Sequence, residues 1–162
     1  MIKTAYITGT EALDRMMEIE QKSFSFPWTR QDVVIGLRQS GRLRFIGLWE
    51  GDTLQAWGCF APAIWEAHLM TIAVHPDARR RRLGSALLKA IELAAADAGA
   101  QYMALECRAG NKNAQRFYEK NGYKRVGLQK GYYTDTGEDA YLYLLEPLPE
   151  GDCKRDPWLI RE

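Results

Sequence analysis

Apolar and polar positions in the first part of the chain predict a strand followed by two helices. Weak alternation over residues 3–8 favours the strand. Thr10 then stands where an N-cap would open an amphipathic helix that must end before Pro27. Thr29 is a second candidate N-cap, for a helix that continues to about Gln39.

The spacing of apolar residues changes twice in the remainder of the chain. Gly51–Asp52 separates two runs rich in strand-forming residues, which is typical of a hairpin. A helical period of three and four residues follows, and Gly99 stands where a C-cap would end it. The predicted strands are 43–50, 53–61, 66–75, 101–107, 123–133 and 139–146, and the predicted helices here are 80–98 and about 112–120.

The segment most informative about function is strand 66–75, helix 80–98 and strand 101–107. A connection of this length makes the two strands parallel, with a right-handed crossover. Ligands of such units lie beyond the carboxyl ends of the strands, where the unpaired N–H groups at the helix N-terminus form an anion site. The sequence ARRRRLGSA lies at that helix end, and Glu106 lies at the end of the following strand. The pattern is typical of a cradle for a pyrophosphate-bearing cofactor.

Composition narrows the class of protein. A chain of 162 residues with 46% hydrophobic residues and a net charge of +1 is ordinary for one globular domain. We therefore expect neither a nucleic-acid partner nor a membrane span. Three scattered cysteines and two histidines disfavour a disulfide framework and a metal centre and suit a reducing, cytoplasmic location. His68, His75 and Cys107 are interpreted as structural residues.

The segment IAVHPDARRRRLGSALL resembles the acetyl-CoA motif of the GCN5-related N-acetyltransferase (GNAT) superfamily, V-x-P-x-x-[QR]-x-x-G-x-[GA]. The segments FPW, EAHLMTIAV, LECRAGNKNAQRFYEKNGY and KGYYTDTGEDA resemble the branch that acetylates the N-terminal alanine of bacterial ribosomal proteins. The resemblance covers about residues 3–147, which we expect to form one domain, with 148–162 as a C-terminal extension. It implies an α/β fold whose mixed, mostly antiparallel sheet is splayed at a parallel pair and flanked by about four helices.

The resemblance also implies roles for individual residues. Glu106 matches the general base of the family and Tyr118 its general acid. The residues that would hold acetyl-CoA are Ile72, Ala73, Val74, Arg79, Arg80, Arg81, Arg82, Leu83, Gly84, Ser85 and Asn111. The residues that would contact the acceptor are Trp28, Tyr132 and Tyr133. No metal is implied.

One position departs from the motif. With Arg79 at the [QR] position, Arg82 stands where the family has its first Gly. We expect Arg82 to be in helical geometry already, so that no glycine is required and the backbone amides remain usable. A second alignment, which starts the motif at Arg81, keeps Gly84 and Ala86 but shifts the loop by two residues.

Each role has a structural alternative. Tyr118 has the helical spacing of a core residue, and alternation alone would let Glu106 face solvent. The arginine run has the composition of a solvated charged surface. Trp28 suits helix packing as well as an acceptor groove, and Tyr132 and Tyr133 suit cross-strand packing.

The resemblance leads us to expect a cytoplasmic enzyme that transfers acetate from acetyl-CoA directly to a protein N-terminus. The specific expectation is the N-terminal alanine of a ribosomal protein. Transfer to a lysine, to another protein N-terminus or to a small amine is the alternative within the same class. A non-catalytic module that binds RNA through the arginine run is the alternative from another class, and near-zero net charge argues against it.

Overall fold

The structure, a computed structural model, describes residues 1–39 and 41–149. The helices are α1 (Leu13–Ser23), α2 (Arg30–Arg38), α3 (Leu83–Asp97) and α4 (Lys112–Lys120). The strands are β1 (Ile2–Ile7), β2 (Arg44–Glu50), β3 (Thr53–Pro62), β4 (Glu66–Val74), β5 (Tyr102–Arg108), β6 (Lys124–Gln129) and β7 (Ala140–Leu145). None of the helices within these ranges is long and apolar enough to cross a membrane.

The strands form one seven-stranded sheet in the order β1-β2-β3-β4-β5-β7-β6. Among the strands of the described residues, β4 and β5 are the one parallel pair, because α3 connects them as a crossover, and the other neighbouring pairs are antiparallel. The predicted fold class, an α/β domain with a mostly antiparallel sheet and four helices, is confirmed.

The parallel pair separates soon after it begins. Pairing runs only from Glu66 opposite Tyr102 to His68 opposite Ala104. Shortly after, Met70 has no partner on β3, since Cys59 pairs with Thr71 and Phe60 with Leu69. This β-bulge bends β4 and leaves its last residues without a β5 partner. The opening between the two strands is therefore built into the sheet.

Helices cover both faces of the sheet and bury two apolar clusters. α3 is apolar on a broad stripe and packs on one face with residues such as Leu87, Leu88 and Ile91, all fully buried. α1 and α2 cover the other face through Met16, Ile19 and Val33 and their neighbours. β4 contributes to both clusters, and the splayed ends of β4 and β5 lie between them.

The two predicted helix starts in the first part of the chain have different outcomes. Thr29 caps α2 as predicted: its Oγ1 accepts the Asp32 N–H at 3.1 Å, and its own N–H donates to Asp32 Oδ2 at 2.9 Å. The prediction for Thr10 is wrong. The N-cap of α1 is Ala12, and Thr10 contributes only its carbonyl, which accepts the Leu13 N–H at 3.1 Å.

Two predicted boundaries also move. The helix expected from residue 80 begins at Leu83, and the strand expected over 123–133 ends at Gln129, so that 130–139 is a loop. Leu148, placed at the start of the predicted extension, is buried, and its N–H donates to the Gln101 carbonyl at 2.8 Å. The rest of that extension, 150–162, lies outside the described residues.

Candidate active site

A cavity of about 600 Å³ lies where β4 separates from β5 and α3 begins. We call it the helix-end cavity. Its walls are the end of β4, the arginine loop, the first turn of α3 and the outer side of α4. The residues predicted to hold acetyl-CoA that line it are Ile72, Ala73, Val74, Arg79, Arg80, Arg82, Leu83, Gly84, Ser85 and Asn111.

The four arginines at 79–82 have three different environments. Arg79 donates from Nε to the Val74 carbonyl and from Nη2 to Ser23 Oγ, both at 3.0 Å, and so fixes the loop to β4 and α1. Arg81 lies outside the helix-end cavity, because its guanidinium pairs with Glu50, with Nη1 and Oε1 3.1 Å apart. This ion pair lowers the pKa of the Glu50 carboxyl.

Arg80 and Arg82 are the two arginines of this run whose charge is unpaired and lies at the helix-end cavity. Neither guanidinium has an ion-pair or hydrogen-bond partner in the part of the chain that the structure describes. Both residues lie at the start of α3, where the positive end of the helix dipole adds to their charge. The cavity therefore has a strongly cationic end.

The backbone at this end is left-handed at two positions. Arg80 has φ of 64° and Arg82, the N-cap of α3, has φ of 61°. The expectation that Arg82 is already helical is therefore wrong. No side chain caps this terminus, so the N–H groups of the first turn remain available to a ligand. A left-handed residue followed by a helical one forms an anion-binding concavity of backbone N–H groups.

Gly84 allows the first turn of α3 to approach its neighbours closely. A Cβ at this position would lie 3.2 Å from the Phe117 ring of α4 and 3.4 Å from a methyl group of Val74. A larger residue would push α3 away from both walls of the helix-end cavity. The glycine thus sets the width of the cavity.

A second cavity of about 340 Å³ lies on the α1–α2 side of the same opening. Three carboxylates line it, those of Glu20, Glu106 and Glu138, and we call it the carboxylate cavity. It shares Phe24, Ile72 and Asn111 with the helix-end cavity, so the two meet between β4 and the start of α4. The remaining lining residues are Ser25, Phe26, Trp28, Met70, Thr71, Cys107, Arg108, Tyr118 and Tyr133.

Glu106 reaches the carboxylate cavity from β5. Its side chain is 19% exposed, and Oε2 lies 2.5 Å from Nε2 of His68 on β4. This hydrogen bond raises the pKa of His68 above its ordinary value, while burial opposes the rise. Our interpretation of His68 as a merely structural histidine did not foresee this contact. The contact depends on the register between β4 and β5, which the pattern of either strand alone does not give.

Tyr118 projects from α4 into the carboxylate cavity, and its ring also packs in the core. Its ring centroid lies 5.3 Å from that of Phe117, 5.7 Å from Tyr123 and 6.2 Å from Tyr143. Burial raises the pKa of its phenol, which therefore stays protonated at neutral pH. Tyr118 thus packs in the core and also lines the cavity, and its role as general acid stays a prediction.

The residues predicted to contact the acceptor are divided between the carboxylate cavity and its rim. Trp28 lines the cavity and also packs edge-on against Trp57, with centroids 6.4 Å apart. Tyr133 lines the cavity, whereas Tyr132 is an exposed rim residue stacked edge-on against Tyr133 at 5.0 Å. Neither tyrosine lies in a strand, since both belong to the 130–139 loop.

Arg108, which was not predicted, connects the walls of the carboxylate cavity. Its guanidinium carbon lies 3.9 Å from the Tyr133 ring centroid and 5.2 Å from that of Phe26. It also pairs with Asp135 at 2.7 Å and with Glu138 at 3.3 Å. The end of β5, the 130–139 loop and the α1–α2 connection are thereby held together around the cavity.

Two buried groups in this region are chemically distinct from Glu106. Glu20 is 1% exposed, and its Oε1 accepts the Trp28 N–H at 3.1 Å. Burial raises the pKa of this carboxyl to about 7. Burial also raises the pKa of the Cys107 thiol to about 11, so this cysteine is a poor nucleophile and its structural interpretation stands. Among the described residues, no group of His, Cys, Asp and Glu side chains is arranged to hold a metal ion.

Comparison with known proteins gives a consistent result. The Acetyltransferase (GNAT) family model matches residues 13–123. The chain is 33% identical to the [ribosomal protein bS18]-alanine N-acetyltransferase of Salmonella typhimurium over 146 residues, which are 89% of this chain and 97% of the relative. It is 32% identical to the protein of the same name from Escherichia coli over 138 residues, covering 84% of this chain and 92% of the relative. The crystal structure of the ribosomal-protein-S18-alanine N-acetyltransferase from Escherichia coli superimposes with a TM-score of 0.80 at 29% identity, covering 95% of this chain and 98% of the other. The chain therefore belongs to the GNAT family of acetyltransferases.

Proposed function

We propose that this acetyltransferase transfers the acetyl group of acetyl-CoA to the α-amine of a protein N-terminus. The observation that carries the proposal is the meeting of two cavities of opposite character at Ile72 and Asn111. The helix-end cavity presents cations and free backbone N–H groups, and the carboxylate cavity presents acidic side chains. An anionic donor and a cationic acceptor would each find a complementary surface, with Glu106 on the acceptor side.

The helix-end cavity fits a pyrophosphate-bearing substrate such as acetyl-CoA. Arg80, Arg82 and the uncapped N-terminus of α3 would hold the pyrophosphate. The edge of β4 that faces β5 has no strand partner beyond His68, so this edge of the Ile72–Ala73–Val74 segment is open to an extended pantetheine arm, apart from the Val74 carbonyl, which accepts from Arg79 Nε. When bound, acetyl-CoA supplies a thioester whose C–S bond breaks as the new amide bond forms.

The residues of the carboxylate cavity supply the proton transfers. An α-amine has a pKa near 8 and a lysine near 10.4, so only the former is partly neutral at physiological pH. Glu106 would take the proton that the amine loses, through a water molecule held by its carboxylate. Backbone N–H groups of the β4 segment would stabilise the oxyanion. Tyr118 would donate a hydrogen bond or a proton to the departing thiolate.

The similarity to the ribosomal-protein-alanine enzymes supports an N-terminal alanine of a ribosomal protein as the acceptor, at 32–33% identity. The walls of the carboxylate cavity agree with a short peptide end. Phe26, Trp28 and Tyr133 surround a space of about 340 Å³, which suits the first residues of an extended chain. Such an acceptor implies a cytoplasmic enzyme.

A competition between two peptides tests this proposal. One peptide carries a free N-terminal alanine and no lysine, and the other has a blocked N-terminus and an internal lysine. Mass spectrometry after incubation with acetyl-CoA is expected to show acetate on the alanine peptide alone. Glu106→Gln is expected to lose most of that product, whereas Glu11→Gln, the same change at an exposed site, is expected to retain it. Acetate on lysine alone would overturn the acceptor, and transfer to neither peptide would overturn the proposed function.

A further inference from the structure

His68 stands directly behind Glu106 as seen from the carboxylate cavity. Glu106 lines that cavity and His68 does not. His68 closes the short parallel ladder, opposite Ala104, and its side chain shares a face of the sheet with Glu106 two residues further along β5. The hydrogen bond between His68 Nε2 and Glu106 Oε2, at 2.5 Å, therefore joins two strands at the point where they begin to separate.

We propose that His68 is a positioning residue for acetyl transfer: its imidazole holds Oε2 of Glu106, which leaves Oε1 for the water that accepts the proton of the amine. The inference rests on the proposed function of this site. A carboxylate at the end of a strand would otherwise rotate about its side-chain torsions, and an error of about 1 Å in a proton-transfer group is enough to cost on the order of 100-fold in rate. His68 fixes one oxygen, and the cavity then determines where the other lies.

The charge state of His68 depends on the charged groups around its imidazole. The charged groups around the imidazole are Glu66 on its own strand and Glu106 on β5. The titratable phenol of Tyr132, in the 130–139 loop, lies near Glu106. Burial raises the pKa of that phenol, and the charge of Glu106 adds to the rise. Because the two carboxylates stabilise the imidazolium, it persists to higher pH than in free histidine. An imidazolium holds Oε2 of Glu106 in a charge-assisted hydrogen bond, which is stronger than the hydrogen bond from the Nε2–H of a neutral imidazole and leaves less of the carboxylate's charge to orient the water. The rate should therefore rise with pH as His68 loses its proton.

Two variants separate positioning from titration. His68→Ala removes the hydrogen bond and is expected to lower kcat about 10- to 100-fold while the KM for acetyl-CoA stays within about twofold. His68→Gln keeps a side-chain N–H donor, so it is expected to recover most of kcat at pH 8. The pH–rate profile of His68→Gln should lack the histidine titration and show only that of the peptide α-amine, which is common to every variant measured with the same peptide.

A double-mutant cycle with Glu106→Gln excludes a purely structural role. If His68 acts through Glu106, then His68→Ala should cost less than about twofold in the Glu106→Gln background. Losses that multiply in the double variant would overturn the inference. So would a His68→Ala enzyme with unchanged kcat and an unchanged pH profile.

The histidine titration gives a readout that does not depend on the acceptor. NMR of the imidazole nitrogens should show a His68 pKa above the ordinary value in the parent protein, and the Glu106→Gln variant should lower it. Equal pKa values in the two proteins would overturn the pairing. If neither peptide is acetylated while this pKa shift is present, the proposed function fails and the pairing of His68 with Glu106 stands. If a peptide is acetylated and the pKa shift is absent, the proposed function stands and the pairing fails.

Discussion

The left-handed backbone of Arg82 leads to a prediction about stability at a position where the family has glycine. Arg82 is exposed and has φ of 61°, a conformation that costs an L-residue about 1–2 kcal/mol. Arg82→Gly removes this cost. Glycine also increases the conformational entropy of the unfolded chain, which lowers the free energy of unfolding by about 0.4–1 kcal/mol. The difference leaves Arg82→Gly more stable than Arg82→Ala by about 1 kcal/mol.

The alanine variant is the matched control, because it loses the same charge and keeps the same left-handed geometry. For a chain of this length, about 1 kcal/mol corresponds to about 2–4 °C in Tm. Thermal and urea unfolding of the two variants should therefore differ by that amount in favour of glycine. Arg82→Lys should resemble the parent, since it keeps both the charge and the backbone cost.

The same variants separate stability from donor binding. Arg82→Gly and Arg82→Ala both lose one of the two unpaired arginines of the helix-end cavity, so both are expected to raise the KM for acetyl-CoA severalfold, less so at high salt. Arg82→Lys should keep a KM near that of the parent. Equal stability of the glycine and alanine variants would refute the reasoning, because it would mean that the left-handed conformation carries no cost here.

Three further substitutions test the site and the core. Glu106→Gln should lower kcat by about 100-fold or more, since the water relay loses its base, while acetyl-CoA binding measured by calorimetry stays nearly intact. Tyr118→Phe keeps the ring packing against its aromatic neighbours, so kcat should fall with little change in Tm; a loss of stability alone would assign this tyrosine to the core. Glu92 of α3 is 3% exposed, and burial raises the pKa of its carboxyl from 4.5 to about 7. The folded state thus binds more protons than the unfolded state between these values, and stability falls as pH rises through them. Glu92→Gln should remove up to about 3 kcal/mol of that fall, measured by urea unfolding at pH 5 and pH 8; an unchanged pH dependence would contradict the assigned pKa.

Local patterns were sufficient for the order of elements because each depends on residues close in sequence. The capping box at Thr29 and the turn at Gly51–Asp52 needed no knowledge of the rest of the chain. The crossover through α3 then required β4 and β5 to be parallel, which placed Glu106 near the start of α3. Of the site residues that the resemblance implied, all but Arg81 and Tyr132 line one of the two cavities.

The side-chain contacts that sequence reasoning missed depend on how distant segments meet. The pairing of His68 with Glu106 requires the register of β4 against β5. The contact of Arg81 with Glu50 requires the end of β2 to lie beside the arginine loop. Arg108 gathers an aromatic and acidic cluster from segments as near in sequence as Tyr133 and as distant as Phe26, which no spacing in the sequence indicates.

The bulge at Met70 shifts the alternation of side chains along β4 by one residue. Ala67 and Leu69 point toward α3 before it, and Ile72 and Val74 point toward α3 after it, although strict alternation would have placed the second pair on the other face. Deleting one residue here would keep Ile72 and Val74 on the α3 side but remove the bulge that separates β4 from β5, whereas inserting one residue would turn the side chains of Ile72 and Val74 toward α1. The number of residues between His68 and Pro76 is therefore fixed by geometry, so that insertions and deletions tolerable at the Gly51–Asp52 turn would dismantle the site if they occurred in β4.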